Sequence, residues 1–204
     1  MNSELLRDRL AQLPAGEISP VLPFDLHVDP YLVLDLSVNN PALAELDYAS
    51  PTALHEYIFG LLDAEGCVVG VGGYMEDRAV YRYSPVFGNA DAVRSLHLGI
   101  DLWAEVGMPV LAPVAGIVHS FANNNQHGDY GPTVILEHQL EGLTFYSLYG
   151  HLSTDTLSHL SRGQHFAAGE VLGELGAYHE NVHWPPHLHF QLMLSMECKE
   201  GDYP

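Results

Sequence analysis

Over 204 residues, 7 Lys and Arg stand against 26 Asp and Glu, and the formal charge of −19 argues against a nucleic-acid backbone as partner, since a phosphate-binding surface needs the opposite sign. Hydrophobic residues make up 47% of the chain, enough for a sizeable core, yet no apolar run approaches the roughly 18 residues of a membrane-spanning helix. Two cysteines, Cys67 and Cys198, are too few for a disulfide framework, and the charged N-terminus lacks a secretory pattern, so the expected compartment is the cytoplasm.

Leu5, Leu6, Leu10 and Leu13 recur at helical spacing until Pro14 and Gly16, which predicts a short amphipathic helix over residues 3–13. No Lys or Arg occurs from Leu10 to Asp77 while eleven carboxylates do, a block that reads as a solvated face. Within it, residues 32–38 alternate as a strand and residues 51–59 read as one short helix starting near Ser50. From Cys67 onwards short β-rich runs follow one another between Gly and Pro. They cover residues 67–71 and 79–83, expected as a hairpin, then 109–112, 116–121, 133–138, 143–149, 170–175 and 187–193. One helix is expected in this half, over residues 153–160 with Ser153 as its cap. The sum predicts a mainly β fold, an antiparallel sheet or sandwich with a few short helices.

Thirteen His point to metal or proton-transfer chemistry, and three distant segments concentrate it. His97-Leu-Gly-Ile-Asp101 offers an imidazole and a carboxylate at an even spacing, so an extended chain projects both to one side, and Gly99 removes a side chain between them. In His187-Leu-His189 the two-residue strand period aims both imidazoles at one face, with Leu188 and Phe190 on the other. One can ligate while the other stands beside an open coordination position. Gly150-His151-Leu152 ends an aromatic strand with a His that could reach the same pocket.

In order along the chain, the H-x-x-x-D, G-H-L and H-L-H-F patterns resemble those of the lysostaphin-type zinc metalloendopeptidases over residues 96–194. The resemblance implies the lysostaphin-like fold, with its duplicated hybrid motif. It implies that His97, Asp101 and His189 bind one zinc per chain. It implies that His151 and His187 are catalytic, assisting a zinc-activated water against a peptide carbonyl; which of the two is the base stays open. The text Trp184-Pro185-Pro186-His187-Leu188-His189-Phe190 further resembles the peptidase-like module joined to class III aminotransferases. The expected domains are residues 1–83, a helix and extra strands extending the scaffold, and residues 84–204, the metallopeptidase. Expected partners are a peptide or amide substrate, with neither nucleic acid nor membrane. A metal-containing binding or regulatory module without turnover is the alternative.

His179-Glu180-Asn181-Val182-His183 also matches H-E-x-x-H, in which two His one helical turn apart ligate zinc. Trp184-Pro185-Pro186 follows at once and leaves no room for the helix that motif needs, so the stretch is expected to be a loop bordering the site. His119, His138, His159 and His165 read as structural or surface residues, and His27, His55 and His127 lack any partner motif. The loop of Asn123 to Asn125 with Gly128 and Gly131 is expected to be a long turn able to line a substrate groove.

Overall fold

The computed structural model describes residues 2–83, 96–126 and 128–203. Helix α1 (Asn2–Ala11) forms where the leucine spacing predicts it, with Leu6 buried. Strand β1 (Tyr31–Leu34) is shorter than the predicted 32–38, because its ladder ends where Leu34 meets Gly72; beyond it only Ser37 bridges, to Arg78. Helix α2 (Pro41–Ala44) was not expected. Asn40 starts it by accepting from the Ala42 amide, and Pro41 occupies the first turn, where a missing N–H costs nothing. Helix α3 (Ala53–Glu65) runs six residues past the predicted end at 59. Gly60 does not stop it because Ile58 and Leu62, one turn apart, both bury against the core; Gly66, at φ 65°, does.

The hairpin expected across residues 67–83 does not form. Strand β2 (Val69–Gly72) pairs with β1 in parallel, and the chain then turns into β3 (Glu76–Asp77) and α4 (Ala79–Tyr83), a helix where a strand was predicted. A five-residue run rich in Val and Tyr has no fixed period of its own, and its surroundings decide: the Ala79 amide donates to Leu36 O, and Arg82 turns back onto Asp77 at 2.6 Å.

The remaining elements are β4 (Leu96–His97), β5 (Ile100–Trp103), β6 (Pro109–Leu111), β7 (Gly116–Asn124), β8 (Gly131–Leu140), β9 (Leu143–Gly150), α5 (Thr154–Ser158), β10 (His165–Phe166), β11 (Val171–Glu174) and β12 (His187–Met193). Helix α5 carries the predicted cap, Ser153 Oγ accepting from Thr156 N. The main sheet has the order β1-β2-β5-β12-β9-β8-β7-β10 and is antiparallel apart from β1 and β2. Two shorter ladders, β6 with β11 and β3 with β4, complete the mainly β architecture. Residues 84–95, around the expected boundary at 83/84, lie outside the described residues.

Alternation along the central strands sorts side chains into layers. Val134 and Leu136 of β8 pack with Leu102, Val110, Tyr149, Leu172 and Leu188 in one core, while Ile135 between them joins Leu148 and Met193 on the opposite face. A second core under the N-terminal segment gathers Leu34, Leu36, Leu43, Ile58 and Leu62 around Trp103 of β5. Among the described residues no helix is long and apolar enough to cross a membrane. Leu136→Ala, at a fully buried position, is expected to lower unfolding free energy by about 2–5 kcal/mol in urea titrations. Leu5→Ala, at an exposed one, should stay within about 0.5 kcal/mol; equal effects would contradict the assigned core.

Candidate metal centre

Strand register brings the distant segments together. His189 of β12 lies directly opposite Asp101 of β5 on one side and Gly150 of β9 on the other, and His187 lies opposite Trp103. Asp101 and His189 are therefore cross-strand neighbours on one face, with His151 one residue beyond Gly150. His97 enters from β4. Gly99 is indispensable to that entry, although for a reason other than metal crowding: a Cβ there would stand 2.6 Å from the His189 ring and 2.8 Å from Phe190 O.

All five predicted site residues are buried and converge. His97 Nε2 lies 2.9 Å from His189 Nδ1 and 3.1 Å from Asp101 Oδ1, and His189 Nδ1 lies 3.2 Å from the same oxygen. Among the described residues this is the one group of three or more His, Cys, Asp or Glu placed to share a metal ion. The outer contacts bear on which of these atoms carries a proton. His97 Nδ1 lies 3.1 Å from Gly73 O and 3.0 Å from Arg78 Nη2; when it carries the proton it donates to Gly73 O and leaves Nε2 a lone pair, the tautomer that a metal at Nε2 requires. Likewise His189 Nε2, when it carries the proton, donates to Gln191 Oε1 at 3.3 Å and leaves Nδ1 a lone pair. In those tautomers three electron-pair donors face one another with no proton between them, an arrangement that a cation relieves. Zinc takes such N and O ligands at about 2.0–2.2 Å, so the residues present fit it.

The two remaining histidines form a second layer. Their rings lie 4.0 Å apart between centroids, and the indole of Trp103 stacks on His187 at 4.1 Å. His187 Nδ1 donates to Pro185 O at 2.7 Å, so the neutral ring carries its lone pair on Nε2, 3.9 Å from Asp101 Oδ2. Burial pushes the His187 pKa down to about 4, against the opposing pull of Asp101. Burial, and then His187 itself, holds His151 well below the ordinary imidazole range. His151 sits at φ 62°, held by its amide donating to Tyr130 O and its carbonyl accepting from Gly176 N, and its buried Nδ1 has no hydrogen-bond partner among the described residues. Left-handed backbone at a non-glycine residue is strained.

The H-E-x-x-H segment is not a helix. Residues 178–183 form successive turns with Val182 and His183 at positive φ, and Glu180 is a latch, accepting from Thr154 N and Oγ1 and from Ala177 N. It borders a groove shared with Asn123, Asn125 and Thr154; Asn123 and Asn124 end strand β7 rather than forming the long turn expected there. Of the histidines set aside, His138 is a buried structural residue between Ala115 O and Ser147 Oγ, and His127 lies outside the described residues.

Sequence reasoning missed Arg78, Glu76, Gly73, Tyr130 and Trp103. Arg78 donates to Asp101 Oδ2 at 2.6 Å. Burial pushes the Asp101 carboxyl up, but the charge of Arg78, foremost of the groups beside it, more than reverses this and holds it well below the usual carboxylate range. The Tyr130 ring lies 4.8 Å from that of His189. A usable signal existed for Trp103, two residues from Asp101 on the same strand face, and for Arg78, the first cation after Arg9.

Residues 95–200 match the sequence profile described as peptidase family M23. The chain belongs to that family. M23 proteins are zinc metallopeptidases, and this member carries the buried His-Asp-His metal triad. No curated protein matches the chain. Among solved structures, a Pseudomonas aeruginosa protein described as an M23 peptidase shares 30% identity at a TM-score of 0.38, over 48% of this chain and 38% of its own. The catalytic domain of the antimicrobial peptidase lysostaphin from Staphylococcus simulans is similar at 24% identity and a TM-score of 0.41, over 52% of this chain and 74% of its own. A zinc-containing peptidase from Vibrio cholerae is similar at 24% identity and a TM-score of 0.42, over 54% of this chain and 29% of its own. The chain thus spans well under half the length of two of these three.

The buried imidazoles give the metal-stripped protein a pH dependence. An unfolded His187 takes up a proton near pH 6.5 and the folded one only near pH 4, so the unfolded state binds more protons in between and stability falls as pH drops through that window. Thermal melts of metal-free protein should shift downward from pH 7 to pH 4.5, and His187→Gln should flatten the shift. Parallel curves for the two proteins would refute the buried neutral assignment.

Proposed function

We propose that the chain is a zinc-dependent peptidase or amide hydrolase in which His97, Asp101 and His189 hold one zinc and His151 and His187 are the proton-handling pair. The observation that carries the reading is the convergence of His97, Asp101 and His189, whose facing atoms lie 2.9–3.2 Å apart, with the rings of His151 and His187 in contact with each other beside them. When bound, zinc supplies Lewis acidity, which polarises a peptide carbonyl and makes water a nucleophile near neutral pH.

The chain's own residues supply the rest. His187 presents Nε2 as an acceptor because Nδ1–H is tied to Pro185 O, and burial keeps the ring unprotonated at pH 7. His151 Nδ1 has no hydrogen-bond partner among the described residues, and in this reading it accepts a proton or donates to a developing oxyanion. Trp103, stacked on His187, fixes the ring plane and excludes water from that side.

A peptide or amide is the substrate class; the net charge of −19 disfavours polyanionic partners, and a cytoplasmic setting fits the two-cysteine composition. In this reading residues 1–83 extend the scaffold, β1 and β2 being annealed to β5. The Trp184-Pro185-Pro186 lead into β12 supports a closer kinship with the peptidase-like module joined to class III aminotransferases.

Purified protein should contain about one zinc per chain. His189→Ala should lose most of it, whereas His151→Ala and His187→Ala should retain it and lose about 10²–10⁴-fold in peptide turnover. Metal analysis showing His189→Ala fully loaded would overturn the ligand assignment. A peptide and amide library bound equally by wild type and His151→Ala, with product from neither, would overturn the enzyme.

A further inference from the structure

One side chain carries the N-terminal segment into the metal centre. Arg78 is 3% exposed, and its guanidinium faces three elements at once. Nε pairs with Glu76 Oε2 at 2.6 Å, Nη1 donates to Asp101 Oδ2 at 2.6 Å, and Nη2 lies 3.0 Å from His97 Nδ1. Glu76 is fixed in turn: its Oε1 accepts from Leu36 N, and its backbone pairs with His97 across β3 and β4. Gly72 leaves the guanidinium its space, since a Cβ there would stand 2.8 Å from Nη2. Arg78, Glu76, Leu36 and Gly72 all lie outside the motifs that define the site.

We propose that Arg78 is a positioning residue of the metal centre: by holding Oδ2 of Asp101 it leaves Oδ1 as that carboxylate's one ligand atom, with Glu76 as its counter-charge. The inference rests on the metal-site reading above. Oδ1 is the oxygen that faces His97 and His189, and Oδ2 is the oxygen that Arg78 holds. Without the guanidinium, a buried Oδ2 lacks its charged partner and the carboxylate is free to rotate or to offer both oxygens. Lysine cannot replace the planar fork that reaches Glu76 and Asp101 together. The Nη2 contact is not the essential one, because a His97 ring that gives Nε2 to a metal keeps its proton on Nδ1 for Gly73 O.

Two physical effects of Arg78 on zinc have opposite signs, and that makes the role measurable. As a bare positive charge, Arg78 would repel the cation, so its removal would tighten binding. As a positioning residue, its removal weakens binding by about 10–100-fold, the scale at which outer partners of metal ligands act.

The experiment titrates zinc against a chromophoric chelator for full-length wild type, Arg78→Lys, Arg78→Gln and the double variant Glu76→Gln/Arg78→Gln, which leaves no orphaned carboxylate at position 76. Melts of the metal-free proteins establish folding, and the visible spectrum of cobalt-loaded protein reports coordination geometry. Arg78→Gln and the double variant should bind zinc about 10–100-fold more weakly, with Arg78→Lys between them and wild type, and the cobalt bands should lose intensity as Asp101 adds its second oxygen. Unchanged or tighter zinc binding in the folded double variant, with an unchanged cobalt spectrum, would overturn the proposal. Should both Gln variants fail to fold, Arg78→Lys, which keeps charge and bulk, decides by the same two readouts. Wild type without zinc affinity would instead defeat the metal-site reading itself.

Discussion

The site depends on the register of three neighbouring strands. With β12 between β5 and β9, pairing fixes Asp101 opposite His189 and Gly150 opposite the same histidine. A slip of one residue would turn His187 and His189 toward the core and Leu188 toward the site. The register is strongly specified because the other face of β12 is committed: Leu188 is fully buried among Leu102, Val134 and Leu136, and Phe190 packs against the same cluster. The apolar layer thereby aligns donors that would repel one another if nothing positive lay between them.

Around that alignment, three of the four clustered histidines have one ring nitrogen in contact with a neutral oxygen from outside the cluster. Gly73 O claims one nitrogen of His97, Gln191 one of His189 and Pro185 O one of His187. These are backbone or amide oxygens, neutral acceptors that direct a proton without adding charge to a buried site. Charge enters separately, through the Glu76–Arg78–Asp101 chain, where two carboxylates and one guanidinium lie within 2.6 Å contacts. Arg78 and Glu76, like Gly73, come from outside the region that defines the family.

The ligands were legible because period two is a local rule: His187 with His189, and His97 with Asp101, share a face over a few residues. The competing H-E-x-x-H reading fell to an equally local rule, the prolines after Trp184. What escaped was non-local or context-decided. Arg78 meets Asp101 only because β3 pairs with β4 and α4 turns beneath it, and nothing within five residues of Arg78 announces that. The strand expected over residues 79–83 became a helix because Ala79 is tied to Leu36, and α3 ran through Gly60 because burial of Ile58 and Leu62 outweighed one weak helix former.

Trp103 belongs to two neighbourhoods at once, the apolar cluster of the N-terminal segment and the ring stack on His187. Excision of residues 1–83, the obvious way to trim the chain to its peptidase half, would strip the indole of its cover and deprive β5 of β2. A trimmed fragment would then present a raw strand edge next to its most reactive residues, open to annealing with other fragments.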